Sequence, residues 1–268
     1  MIHLKEVKFI KSNIHDFPYN MPFFGETIPF SSNVTILVGE NGAGKSTFLE
    51  LIDEVLGLYK IKRQNQEQKE IQDLLKNVSR HVMCTYHLKK PKGFFFSAED
   101  FTSYIHYLVQ EKNEAYQELK RIEKEYTHKS SFAQSQAKMP YVRTVHDIDN
   151  MYQKDLLKSS HGEAYLDFFT SRIRENEIYL IDEPETPLSI QNQLTLLSII
   201  DEAIKHGNQF IIATHSPVIM SIPYAHIYEI GSSYIRRINY DEIESVILLK
   251  QFMNQPESFF RHLYHEDK

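Results

Sequence analysis

Gly39-Glu-Asn-Gly-Ala-Gly-Lys-Ser-Thr47 is the stretch whose reading decides the fold, because glycines at 39 and 44 are followed at once by Lys45 and Ser46. The spacing is G-x-x-x-x-G-K-[ST], the pattern of a phosphate-binding loop. A loop nearly free of side chains can wrap its backbone N–H groups around phosphate oxygens, while the helix that follows presents its positive N-terminal end. The residues on either side agree with this reading. Val34 to Val38 is a short apolar run of β type, and Lys45 to Leu56 has helical apolar spacing that stops at Gly57, which gives the order strand, loop, helix that the motif requires. On this reading Gly39, Glu40, Asn41, Gly42, Ala43 and Gly44 line the phosphates. Lys45 reaches the β- and γ-phosphates, Ser46 gives its hydroxyl to Mg²⁺, and Thr47 touches the α-phosphate.

Further along, Ile178-Tyr-Leu-Ile-Asp-Glu-Pro-Glu185 runs from four apolar residues straight into a cluster of carboxylates. A buried strand of this kind carries Asp182 to its carboxyl end, where it can hold a water of Mg²⁺, and leaves Glu183 beside it to orient an attacking water. Read alone, the segment is an acidic turn at a strand end; read after a phosphate loop, it is the second half of a nucleotide site. Gln209 to Thr214 is another buried strand and is followed by His215, which on its own reads as a residue capping the turn before Pro217.

Around these segments the chain alternates strands with helices, which implies a parallel sheet. Ile2 to Ile10 and a segment near Ile28, joined by a loop with Pro18 and Pro22, suggest an antiparallel β entry subdomain, and Val82 to Leu88 resumes a strand pattern. Tyr59 to Lys76 is polar and rich in Gln, Lys and Glu. Phe101 to Leu157 holds two charged helical pieces separated by a Ser/Gln/Ala stretch around Ser130 to Lys138, and is read as a helical insertion within a single domain over 1–268. Ile190 to His206 reads as a helix closed by Gly207. Ile227 to Ile230 and Tyr234 to Ile238 read as a hairpin, and helical segments run from Glu242 to the end, interrupted near Pro256.

Composition narrows the class without naming an activity. With 41% hydrophobic and 25% charged residues the chain is an ordinary globular one. A net charge of -6 argues against coating nucleic acid through an overall positive field. The single cysteine, Cys84, allows no internal disulfide, and the N-terminus has neither a signal-peptide core nor a transmembrane run, so the expected location is cytoplasmic. Lys60, Lys62, Arg63, Lys89, Lys90 and Lys92 are basic enough to meet DNA, or to form a solvated charged face.

Taken together, these segments resemble the ABC-type ATPase heads, including SMC proteins, and most closely the compact bacterial AAA-family ATPases of that group, over essentially the whole length. In that resemblance Gly39 to Thr47 is Walker A, Ile178 to Glu183 is Walker B, Thr186 to Ser189 takes the D-loop position, and His215 is the switch histidine that contacts the γ-phosphate. Ser159-Ser160-His161-Gly162-Glu163 resembles the signature motif, with Ser160 and Gly162 retained for the nucleotide of a second subunit and His161 standing where glycine is commoner. Gly93 to Phe101 occupies the Q-loop region without a glutamine, so Glu99 stands in for it as a metal contact; the alternative is an aromatic strand end that packs the core. The resemblance implies an α/β P-loop fold, ATP and Mg²⁺ as cofactors, catalysis by Glu183 and His215, and a head-to-tail homodimer that forms on ATP binding. It also implies a protein partner, or DNA in repair or defence. A nucleotide-gated interaction module with little hydrolysis is a second reading. An ATP-binding transporter subunit is a third, against which the missing glutamine counts.

Overall fold

The computed structural model describes residues 1–61, 66–150 and 161–263. The first strands, β1 (Leu4–Phe9), β2 (Thr27–Pro29) and β3 (Val34–Val38), lead into helix α1 (Lys45–Leu56), which Gly57 ends in the left-handed conformation. β4 (Tyr59–Lys60), α2 (Gln66–Val78), β5 (Val82–Tyr86) and β6 (Gly93–Ser97) follow. Two long helices come next, α3 (Ala98–Glu125) and α4 (Ser131–Asn150), and then α5 (His161–Arg172). The second half runs β7 (Ile178–Asp182), α6 (Ile190–Lys205), β8 (Gln209–Ala213), α7 (Pro217–Met220), β9 (His226–Ile230), β10 (Ile235–Ile238), α8 (Glu244–Asn254) and α9 (Pro256–Leu263).

The strands form two sheets. A seven-stranded sheet has the order β10-β9-β3-β8-β7-β6-β4, parallel except for the β9–β10 hairpin. A three-stranded antiparallel sheet, β2-β1-β5, contains the two strands of the expected entry subdomain and adds β5, the resumed strand of the sequence reading, beside β1. The large sheet is covered on both faces, so its central strands are apolar throughout, and the period-2 alternation of the strand divides their side chains between two cores. Ile36, Val38, Phe96, Tyr179, Ile181, Phe210 and Ile212 pack with α5 and α6 on one face. Leu37, Phe95, Leu180, Ile211 and Ala213 pack with α1 and the small sheet on the other. The strand ends of β3, β7 and β8 lie side by side in register, Leu37 opposite Ala213 and Asp182 opposite Ala213, so the loops that leave them share one edge of the sheet.

The helical pieces depart from expectation in two places. The polar stretch after Tyr59 contains a helix, α2, whose Leu75 and Val78 reach the core while Ile71 and Leu74, at helical spacing from them, stay exposed. The Ser/Gln/Ala stretch around Ser130 to Lys138 does not separate two helices; nearly all of it is inside α4, and the break falls at 126–130. Helix α4 packs along α3, where Lys112 pairs with Asp149 and Lys138 with Glu123. Helix α6 ends at Lys205, with His206 as its cap and Gly207 beyond it at φ 83°. Cys84 is half-buried in β5, and burial pushes its thiol up to about 12. No helix among the described residues is long and apolar enough to cross a membrane.

Candidate functional site

The loop after β3 turns through glycines that no other residue replaces cheaply. Gly42 sits at φ 79° facing open space, so the constraint there is the backbone itself. Gly44 sits at φ 100°, and a Cβ on it would lie 2.7 Å from Met21 Sδ. Gly44 is also the N-cap of α1 and provides no side chain to cap it, which leaves the first N–H groups of the helix free to meet an anion. The Lys45 Nζ donates to the carbonyl oxygens of Gly39 at 3.0 Å and Glu40 at 2.9 Å, so its ammonium lies folded over the loop. Burial lowers the Lys45 pKa, and the carboxylates of Glu183, Asp182 and Glu185 act to raise it.

These groups face a cavity of about 780 Å³ lined by Asn41, Gly42, Gly44, Lys45, Ser46 and Thr47 from the loop, by Glu183, Glu185 and Thr186 after β7, and by His215 after β8. Six of the nine loop residues, Glu183 and His215 therefore converge on one space, while Gly39, Glu40 and Ala43 are not in its wall. Glu183 adopts φ 48°, a left-handed conformation unusual for a side chain with a Cβ. The bond from its N–H to the Ala213 carbonyl, 2.9 Å, holds it there. The His215 Nε2 stands 3.9 Å from Glu183 Oε1.

Asp182 sits beneath the cavity, at the carboxyl end of β7. The Ser46 hydroxyl bonds its carboxylate, but Oδ1 is sealed from solvent and has no hydrogen-bond partner. Burial pushes the carboxyl up to about 7, with Glu183 and Glu50 adding to the rise and Ser46 and Lys45 opposing it. A divalent cation beside Ser46 and Asp182 would satisfy that oxygen and offset its burial, so the residues fit Mg²⁺. Among the described residues no group of three or more His, Cys, Asp or Glu side chains could hold a metal ion. A hydroxyl and one carboxylate nevertheless suit a metal that keeps most of its waters.

Other expected residues lie elsewhere. Glu99 is exposed in the first turn of α3 and is not part of the cavity wall, although Ser97, two residues before it, is in register with Asp182. Gly162 is buried at the start of α5, where a Cβ would approach Asn192 Nδ2 to 2.5 Å and Pro187 O to 3.0 Å, so its glycine allows α5 to pack against the segment after Asp182. Ser160 lies outside the described residues, as do the side chains of Lys62 and Arg63. The Lys60 ammonium is committed to Asp53 at 2.6 Å. Lys89 and Lys92 line a separate cavity that also contains Glu175 and Glu177, so the charge there is mixed.

Three wall residues carried no motif. Phe17 and Met21 come from the loop between β1 and β2 and close one side of the cavity. Nothing in the sequence marks them, since they reach the site only through the packing of Met21 over Gly44. Glu185 was visible as the third carboxylate of its cluster, but its partners, the Thr214 hydroxyl at 2.7 Å and the His215 N–H at 2.5 Å, are contacts of the folded chain.

A family model described as an AAA domain matches residues 19–210, a span that includes the phosphate loop and the carboxylate strand. No curated protein matches the chain. Among solved structures it is similar to the SMC head domain from Thermotoga maritima, with 16% identity, a TM-score of 0.45, and coverage of 89% of this chain and 100% of that one. The Smc head domain with an extended coiled coil bound to the C-terminal domain of ScpA, from Pyrococcus furiosus, is similar at 14% identity and TM-score 0.45, covering 97% and 100%. CbiO1 from Clostridium perfringens, part of the ABC transporter complex CbiONQ, is similar at 15% identity and TM-score 0.44, covering 99% and 100%.

Proposed function

The chain belongs to the AAA domain family, and from that premise we propose that it binds ATP with Mg²⁺, hydrolyses it, and uses the cycle as a switch of the ABC/SMC kind. The observation that carries this is the convergence of Lys45, Ser46, Glu183 and His215 on one cavity, with Asp182 directly beneath it. The free N–H groups of the loop and of α1 take the phosphates, and Lys45 exchanges the carbonyls of Gly39 and Glu40 for phosphate oxygens. Ser46 and Asp182 hold Mg²⁺, which when bound offsets the charge of the β- and γ-phosphates. Glu183 orients the attacking water and accepts its proton, and His215, 3.9 Å away, faces the γ-phosphate from the neighbouring strand end. Phe17, 43% exposed at the cavity mouth, offers its ring to the base.

The switch is proposed to be a head-to-tail dimer formed on ATP binding, with Ser160 and Gly162 of one copy completing the site of the other. Exposed Thr186 at the cavity rim supports this, as do Ile190 and Leu194, an apolar pair one helical turn apart on α6, 67% and 48% exposed. A cytoplasmic switch acting with a protein partner or DNA follows from the same reading. A module that hydrolyses slowly is the second form of the proposal, and the observation in its favour is that Glu99, in place of a glutamine, lies outside the cavity wall.

The test is Mg²⁺-dependent phosphate release by the purified chain, by Lys45→Ala and by Glu183→Gln. Glu183→Gln is expected to keep ATP affinity, lose at least ~100-fold in turnover, and shift to dimer in ATP by light scattering. Undiminished turnover in that variant would remove Glu183 from the chemistry, and wild-type turnover equal to that of Lys45→Ala would remove the ATPase reading.

A further inference from the structure

Strand β8 ends at Ala213, and the last sheet-like bond beyond it is Thr214 N–H to the Leu37 carbonyl, 3.2 Å. From that point the main chain carrying His215 is held by side chains. The Glu185 carboxylate takes the Thr214 hydroxyl on Oε2 at 2.7 Å and the His215 N–H on Oε1 at 2.5 Å. The Thr214 hydroxyl oxygen in turn accepts the Ser216 N–H at 3.0 Å. The Ser216 hydroxyl donates to Gln193 Oε1 at 2.6 Å, and Gln193 Nε2 donates to the Leu188 carbonyl at 3.2 Å. Each residue flanking His215 is thus tied to the segment 185–193, which is itself turned tightly by Thr186 N–H to Glu183 O and Leu188 N–H to Glu185 O.

We propose that Glu185 is a positioning residue that locks the His215 main chain to the turn carrying Glu183, so that the ring and the Glu183 carboxylate keep one geometry across the cavity. This rests on the ATPase reading only for its consequence in turnover; the lock itself is a property of the chain. A carboxylate suits the task because both partners, an N–H and an O–H, are donors, and each of its oxygens accepts from one of them. Without it, the His215 N–H and the buried Thr214 hydroxyl each lose an acceptor at the point where β8 has ended. Because Glu183 bonds to Ala213 and Glu185 to Thr214 and His215, the two strand ends move as one piece. An alteration at the D-loop segment, such as contact with a second copy, would reach His215 through Glu185.

Glu185→Ala and Glu185→Gln separate the lock from a chemical role. The glutamine can still accept the His215 N–H on its oxygen and, with the Thr214 hydroxyl proton turned away, donate to the Thr214 oxygen, so it keeps the two segments joined without the charge. Glu185→Ala is expected to lower kcat ~10- to 100-fold with KM changed less than ~3-fold, and Glu185→Gln to restore kcat to within ~5-fold of wild type. A kcat for Glu185→Gln as low as that of Glu185→Ala, or an undiminished kcat in both, would overturn the proposal. Hydrogen exchange of the peptide spanning 210–217, read by mass spectrometry without nucleotide, decides the lock independently of turnover. Faster exchange in Glu185→Ala, by ~10-fold or more, with wild-type rates in Glu185→Gln, is expected. Unchanged exchange in Glu185→Ala would overturn the lock even in a chain that hydrolyses ATP. A wild-type chain without turnover would overturn the ATPase reading and leave the exchange result to decide this one.

Discussion

Asp182→Asn should make the metal-free chain more stable at neutral pH while removing its response to Mg²⁺. Burial is the main reason the Asp182 carboxyl moves from 3.8 up to about 7, and Glu183 and Glu50 add to it. The folded state therefore holds the proton more tightly than the unfolded state. The group's contribution is fully present below about 3.8, drains away as pH climbs, and is gone above about 7. At about 1.4 kcal/mol per pH unit the whole range amounts to about 4 kcal/mol, of which about 2 kcal/mol falls between pH 5.5 and 8. Asparagine keeps the size and still offers Ser46 an acceptor, but has no charge to bury. Urea denaturation in EDTA at about pH 5.5 and about pH 8 measures the difference. Between those two points the wild type should lose about 2 kcal/mol more than the variant, and adding Mg²⁺ to a non-hydrolysable ATP analogue should raise stability further in the wild type alone. Parallel pH profiles, or a variant that is the less stable protein at pH 8, would refute the account of a carboxylate held against its burial for a cation.

Phe17→Ala should weaken ATP binding about 10-fold, from a base-stacking loss of about 1–3 kcal/mol, with little change in stability because the ring is 43% exposed; fluorescence titration with a labelled nucleotide checks this, and equal affinity would contradict the stacking. Lys60→Met strands the Asp53 carboxylate, whose side chain is 2% exposed and whose ammonium partner lies at 2.6 Å. The expected cost is about 2–3 kcal/mol, toward the lower end for broken buried pairs because Lys60 itself is 24% exposed. Denaturant titration reads it, and Lys60→Met with Asp53→Asn should recover part of the loss.

Much of the architecture was legible because it is local. Val34 to Val38, Ile178 to Ile181 and Gln209 to Thr214 are short apolar runs bounded by polar residues, and each is a central strand of the large sheet. The β9–β10 hairpin and the break before Pro256 were likewise written in turn residues and proline. Helix α2 was missed because the Gln-, Lys- and Glu-rich composition of the stretch masked the helical spacing of Ile71, Leu74, Leu75 and Val78, of which only the last two are buried. The break between α3 and α4 was misplaced because a Ser/Gln/Ala composition reads as a linker, whereas alanine and glutamine are good helix formers and the segment lies inside α4.

The chain's own pattern determined the phosphate loop, the carboxylate strand and the parallel character of the sheet, since glycine spacing and apolar runs act over a few residues at a time. Tertiary structure alone decided that Met21 crowds Gly44 and that Asp182 keeps one oxygen sealed without a partner. It also decided that Glu185 grips the main chain of His215 thirty residues later in the sequence. Those contacts depend on which strand ends the sheet brings side by side, and no local spacing encodes the distance between two residues that only the packed sheet makes neighbours.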